Sequence, residues 1–363
     1  MRISVLHIII LFSLLPACME DDLLWQETES KRLPSAGVFI LNEGNLTYDN
    51  ASLSFYDYST GEIHQDIFYS INGLPLGDVA HSMTISDSIG YVVVNNSGKI
   101  YAFNTHSFAY AGKITGLTSP RYMHMLSLDK AYVTDLYAKS ITIIDPLSNT
   151  ISGSIDVRNN ASAYYQHPTE QMVQHDKFIF TNSWSFDDKI LVINSETDAL
   201  VDSITVLRQP ASMVIDRFNK IWVLCDGGLE GHPFGHEAAG LVKINAATRE
   251  TEQVIRFDEE ERPLDLQING TGDTLFYINR HVYKLAVYDG ATAEVVIESN
   301  YPPGYVGGFY SLGVDPWSTH LFVADAKDHV QRGEVYHYSS GGLPIDTFRV
   351  GINPGYFCFK TNH

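Results

Sequence analysis

A degenerate unit of roughly 40–53 residues recurs along almost the whole chain after residue 37, and that periodicity constrains the fold before any motif is considered. The clearest copy runs from Ser119 to Val157, SPRYMHMLSLDKAYVTDLYAKSITIIDPLSNTISGSIDV. It predicts four short strands over Met123–Leu126, Ala131–Thr134, Ser140–Ile144 and Thr150–Ile155, separated by Asp129-Lys130, by Asp135–Lys139 and by Pro146–Asn149. A lone four-stranded sheet of this size cannot bury both of its faces. The copies must therefore pack on one another, as the blades of a β-propeller do.

An apolar anchor on the first strand aligns the copies: Met83, Met123, Met172, Met213, Leu266, Leu312 and Phe357. A proline precedes many of these anchors by three or four positions (Pro120, Pro168, Pro210, Pro263, Pro354). Six copies are complete. The head, Gly37 to Ser70, reads as three strands, GVFILN, ASLSFYD and EIHQDIF, and lacks a first strand. The tail, INPGYFCFK, is a first strand with nothing after it. Joined, they make one more blade. The expected fold is all-β, a seven-bladed β-propeller over 37–363 closed by pairing of the N- and C-terminal strands, which leaves no open edge between first and last blades. An open solenoid does not explain two complementary incomplete ends.

The net charge is −19, and removal of a leader that contains Arg2 takes it to about −20. No basic stripe is present, which argues against nucleic acid as a partner. Residues 1–17 read as a signal peptide: Arg2, then an apolar run VLHIIILFSLL too short to span a bilayer with ease, ending in LPAC. That ending resembles a bacterial lipobox, which implies lipidation of Cys18 and a membrane anchor. Residues 18–36 follow as the lipidated cysteine and an acidic, polar tether. Acidic residues soon after Cys18 resemble the export signal of surface lipoproteins, so the expected location is the outer membrane, exposed at the cell surface. Cys225 and Cys358 lie within strand patterns and read as small buried hydrophobes.

The loops divide into two classes. Those joining first to second and third to fourth strands are short generic turns such as SLDK and PLSNT. Those joining second to third strands, and one blade to the next, share the opposite face and are longer and more varied. They include NEGNLTYDN, SWSFDDK, DGGLEGHPFGHEAAG and NNASAYYQHPTE. Aromatic residues sit near their tips: Tyr48, Tyr122, Tyr137, Tyr164, Tyr165, Trp184, Phe186, Phe234, Tyr305 and Tyr310. Interleaved with Asn, Arg and Lys, they suit a large ligand with apolar faces and a hydrogen-bonding rim, or serve to pack the loops together.

Catalytic patterns are weak. HExxH, GxSxG and Walker sequences are absent. His232 and His236, beside Asp226 and Glu237, could ligate zinc or act as acid and base, but Pro233 and the flanking glycines make the segment a loop rather than a helix face. Asp- and Asn-rich loops at a propeller entrance can hold a structural calcium ion, although none matches an EF-hand. Glu170 and Asp265 are placed by their first strands near the central channel, where carboxylates serve sugar lyases and lactonases on this fold or simply bind water. No catalytic residue and no metal ligand is assigned, and a propeller hydrolase or lyase stays open.

In order along the chain, FILNEGN, NNS, TSPRY, AYVTD, TEQM, DGGLEG and INPGYFCFK resemble the BtuG-type surface lipoproteins, within the broader YncE-like seven-bladed propellers. The resemblance implies a non-catalytic protein that captures cobalamin (vitamin B12) or another corrinoid and passes it to a TonB-dependent outer-membrane transporter of the BtuB class. It brings no cofactor other than the corrinoid as ligand. On that basis the ligand belongs on the elaborate face, contacted by Tyr48, Asn95, Asn96, Arg121, Tyr122, Tyr137, Trp184, Phe186, Arg280, Tyr310 and Lys327. Aromatic rings would stack on the corrin edge or the nucleotide base, and Asn and Arg would bond the carboxamides and the phosphate. His236 or His281 could reach the cobalt, ranked below simple hydrogen bonding. A surface glycan- or peptide-binding propeller lipoprotein is the alternative.

Overall fold

The computed structural model describes residues 36–159, 167–302 and 308–361. They form seven four-stranded antiparallel sheets arranged as a ring. The innermost strands are Pro354–Lys360 (blade 1), Ala80–Ser86 (blade 2), Pro120–Ser127 (blade 3), Thr169–His175 (blade 4), Pro210–Ile215 (blade 5), Leu264–Ile268 (blade 6) and Phe309–Val314 (blade 7). Each inner strand lies against those of the two adjacent blades, so the ring closes.

The second strand of blade 1, GVFILN, shows why the sheets stack. Val38, Phe39, Ile40 and Leu41 are all fully buried. Successive strand residues point to opposite faces, so four buried apolar residues in a row require both faces to be covered. Phe39 and Leu41 join a cluster shared with blade 2, whereas Val38 and Ile40 join one shared with blade 7. The same division recurs around the ring: the apolar residues fall into seven clusters, each filling the gap between two neighbouring blades. The anchors recognised from the repeat have a shared role. Met83, Met123, Met213, Leu266, Leu312 and Phe357 each sit in the cluster facing the preceding blade, and Met172 packs against the equivalent one.

Blade 1 is assembled from both ends of the propeller. Gly37–Asn42 pairs antiparallel with Pro354–Lys360, with Gly37 opposite Lys360 and Leu41 opposite Tyr356. The expected third strand of the head is corrected in part. Only Ile63–His64 pairs as a strand, and Ile67–Asn72 is a short helix. Asp66 in the left-handed region (φ 46°) turns the chain, and Phe68 becomes fully buried in the cluster between blades 1 and 2. Cys225 and Cys358 are both free thiols. The leader, Cys18 and the tether, together with Tyr164, Tyr165 and Tyr305, lie outside the described residues.

Gly37, on the closing strand, lies tight against its other neighbour Ser52–Asp57, since a Cβ there would come within 2.2 Å of the Tyr56 carbonyl oxygen. Gly37→Ala should lower the unfolding free energy by about 1–3 kcal/mol, the usual cost of overpacking. Denaturant unfolding of the two proteins, compared at constant m-value, measures it.

Candidate functional site

Every inner strand begins with an irregularity at the end facing the elaborate loops. The register slips at Ala80/Ser82, Pro120/Met123, Thr169/Met172, Pro210/Ser212, Leu264/Gln267 and Phe309/Ser311, and opposite Leu41/Asn42 in the closing strand. A bulge inserts a residue that the partner strand does not match and re-aims its side chain. Repeated seven times, it produces a ring of re-aimed residues at the channel mouth. In six of the seven blades the slip includes the position two before the anchor: His81, Arg121, Glu170, Ala211, Tyr310 and Gly355. In blade 6 the displaced residue is Asp265, one before its anchor, in the left-handed region at φ 56°.

All of these except His81 line an open bowl of about 530 Å³. Its walls include Arg121, Tyr122, Glu170 and Gln171 from blades 3 and 4, Asp265 from blade 6 and Tyr310 and Tyr356 from blades 7 and 1. The loops add Glu43, Trp184, Asp226, Leu229 and Arg262. Below it a second cavity of about 310 Å³ continues down the channel, past His124, Met125, Val214 and Gln267. Tyr122, Gln171, Asp265, Gly355 and Tyr356 border both. Blade 1 offers glycine at its bulge for a reason. A Cβ on Gly355 would lie 2.5 Å from Oε1 of Glu43, so Glu43 fills the place of a side chain there.

The electrostatics centre on Glu170, which is 3% exposed. Nε of Arg121 donates to both of its oxygens, at 2.7 and 2.9 Å. Burial opposes ionisation of Glu170, but the Arg121 guanidinium and His81 outweigh it and hold the carboxyl below its ordinary range. His81 lies with Nε2 3.7 Å from Glu170. Burial, reinforced by Arg121, lowers its pKa, so the neutral imidazole is favoured and the contact is a weak polar one rather than an ion pair. Asp265 behaves differently. Burial raises its pKa to about 6, against hydrogen bonds that its carboxylate accepts from the Leu312 amide at 2.6 Å and from Gln267 at 2.7 Å. Tyr310 donates its hydroxyl to Glu43 at 2.7 Å, and Nε1 of Trp184 donates to Asp226 at 3.1 Å. Asp226 also accepts from Gln209 and from the Gly228 amide, which fixes the loop that carries it.

Of the eleven residues proposed as ligand contacts the structure brings together four, Arg121, Tyr122, Trp184 and Tyr310, along with the two carboxylates placed near the channel, Glu170 and Asp265. The others stand apart from the bowl. Asn95 donates to Ser119 and to the Pro120 carbonyl, tying blade 2 to blade 3, and Asn96 bonds Asp78. Lys327 is held by Asp325 and Glu334 at 2.9 and 2.6 Å. Arg280 donates to the Tyr301 carbonyl. Phe186 stacks on His232, centroids 4.3 Å apart, so here aromatics do zip two loops together. His236 bonds Arg262, and His281 accepts from the Ser299 amide. Tyr48 and Tyr137 are 74% and 64% exposed at their loop tips. Sequence reasoning missed Glu43, His81 and Arg262, and read Asp226 only as a neighbour of His232 and His236. For His81 the signal was present, as the position two before an anchor.

Two measurements probe this arrangement. Glu170→Ala leaves the buried Arg121 charge unpaired and should cost about 3–5 kcal/mol in denaturant unfolding. Asp265 sets a pH dependence. Below its unfolded value of 3.8 both states carry the proton, and as pH rises toward and through about 6 the folded state retains it longer. The unfolded state then binds fewer protons, so stability falls with rising pH across that window. Asp265→Asn should remove this fall, as thermal unfolding at pH 4 to 7 would show.

No curated protein sequence matches the chain. Solved structures share its fold at low identity. A quinoprotein alcohol dehydrogenase-like protein from Bacteroides thetaiotaomicron is similar at TM-score 0.68 and 15% identity, over 92% of this chain and 80% of that one. The periplasmic gluconolactonase of Pseudomonas aeruginosa is similar at 0.66 and 12%, over 91% and 100%. Hydrazine synthase of Kuenenia stuttgartiensis is similar at 0.62 and 13%, over 76% and 88%. At such identities these likenesses extend to the fold alone. The sequence itself matches the domain of unknown function DUF5074 over residues 36–357, and the chain, a seven-bladed β-propeller, belongs to that family.

Proposed function

We propose that this protein is a lipid-anchored, cell-surface corrinoid-binding propeller that captures cobalamin at the channel mouth and delivers it to a TonB-dependent outer-membrane transporter of the BtuB class. The observation that carries the proposal is the bowl itself: Trp184, Tyr122, Tyr310 and Tyr356 supply aromatic faces around hydrogen-bonding groups at one concave site. The bowl is open, so a ligand larger than 530 Å³ seats one edge in it and rests the remainder on the surrounding loops. The ordered resemblance of seven motifs to BtuG-type lipoproteins supports the same ligand, and the LPAC sequence at Cys18 supports the anchor.

Binding without turnover fits the site's chemistry. Glu170 is neutralised by Arg121, and no serine, cysteine or threonine in the bowl is hydrogen-bonded to a histidine or carboxylate base among the described residues. One observation favours the alternative of a surface glycan or peptide. Tyr58 and Trp317, the latter 56% exposed, flank a separate groove of about 630 Å³ on the plain face between blades 7 and 1.

Titrating the full chain, purified in detergent, with cyanocobalamin should give saturable heat and quench Trp184 fluorescence, whereas a sugar panel should give neither. Trp184→Ala should weaken cobalamin binding by about tenfold or more, the loss of a central aromatic contact, and Tyr137→Ala should change it far less. Saturable heat with the sugars and none with cobalamin would transfer the function to the alternative.

A further inference from the structure

The bowl has an uneven supply of hydrogen-bonding groups. Several of its donors are already taken by neighbours within it: Trp184 Nε1 by Asp226, the Tyr310 hydroxyl by Glu43 and Arg121 Nε by Glu170. Arg262 uses its Nη atoms on the Glu259 and Glu261 carbonyls and on His236. Acceptors remain in excess at Glu43 and Asp265, because each carboxylate carries about four lone-pair sites while Glu43 accepts from Tyr310 and Asp265 from Gln267 and the Leu312 amide; Asp226 already accepts from Trp184, Gln209 and Gly228. Charge leans the same way. Arg121 is balanced by Glu170 at 2.7 Å, which leaves Glu43, Asp226 and Asp265 facing the bowl against the single charge of Arg262. The terminal nitrogens of Arg121, beside an already paired charge, and the hydroxyls of Tyr122 and Tyr356 are the other donors in the lining.

A primary carboxamide suits this lining. Its NH₂ group gives two donors to the carboxylates, and its carbonyl oxygen accepts from Arg121. A carboxylate of the same shape has no donor to give, and it meets like charge at close range in a site partly shielded from water. We propose, resting on the corrinoid assignment above, that Glu43, Asp226 and Asp265 make the bowl selective for amidated corrin side chains and against their free-acid forms. The bowl then discriminates intact, fully amidated corrinoids from precursors or hydrolysis products carrying exposed carboxylates.

The test uses the full chain in detergent and four probes: cyanocobalamin and its three monocarboxylate isomers, each with one propionamide hydrolysed to the acid. At pH 7.5, at least one isomer should bind about tenfold more weakly than cyanocobalamin or worse. In Glu43→Gln and in Asp265→Asn, two variants that fail independently if either misfolds, that difference should narrow severalfold while cyanocobalamin affinity changes less. Equal affinity for all four probes would overturn the selectivity and leave the corrinoid assignment standing. Discrimination that persists unchanged in both folded variants would overturn the role given to these carboxylates. Failure of cyanocobalamin itself to bind would remove the assignment and the selectivity together.

Discussion

Burial between blades is the interaction on which everything else in this molecule depends. No sheet here has an independent core. Phe39 and Leu41 face one neighbour while Val38 and Ile40, on the same strand, face another, so a single strand contributes to two cores at once. Stability is therefore distributed around the ring and requires it to be continuous. The seam in blade 1, where the chain's two ends pair, converts a stack of nearest-neighbour contacts into a closed one. A propeller left open there would present two apolar sheet faces and two unpaired edges to water.

This rigid frame allows an irregular mouth. Each inner strand is fixed by its anchor, which packs toward the preceding blade, and in every blade its first residues depart from regular pairing. A bulge at that end releases one or two side chains from the repeat without loosening the strand behind them. The seven positions share a backbone role but not a chemistry: histidine, arginine, glutamate, alanine, aspartate, tyrosine and glycine each occur. Variation is tolerated because the interblade clusters do not include them. The second source of variety is the loop set, and the two meet at Tyr310 with Glu43 and at Glu43 with Gly355.

The architecture was legible in the sequence because the anchors recur at a fixed place and because the head and tail are complementary fragments. The head's last strand was misread because EIHQDIF has strand-like composition, while Phe68 is drawn by tertiary packing into a helical turn beside blade 2. The site was legible where aromatic or basic character coincided with a bulge, as at Arg121, Tyr122 and Tyr310, or with a loop that folds inward, as at Trp184, and where a carboxylate sat on a first strand, as at Glu170 and Asp265. Asn95 and Lys327 looked equally suited to a ligand, but their groups are used to hold neighbouring blades and loops. Nothing in composition separates a polar side chain that presents itself from one that ties. Glu43 and Asp226 were missed as bowl residues for the converse reason: they follow the second strands of distant blades and meet the bowl only when the ring closes.

The energetics of the mouth run against those of the frame. Glu170 and Arg121 are desolvated together, an arrangement that seldom stabilises relative to apolar packing. Asp265 adds a left-handed backbone at φ 56° and a carboxyl whose pKa burial raises to about 6. Each feature is individually unfavourable, and all three lie within one ring of residues. Strain and buried charge persist where the surrounding structure over-determines them, and in working proteins they gather at ligand sites. The interblade cores supply that over-determination here. Positive-φ residues and buried charges also occur elsewhere in the blades, but at the mouth a buried ion pair, a strained backbone position and a carboxyl of raised pKa border a single open cavity.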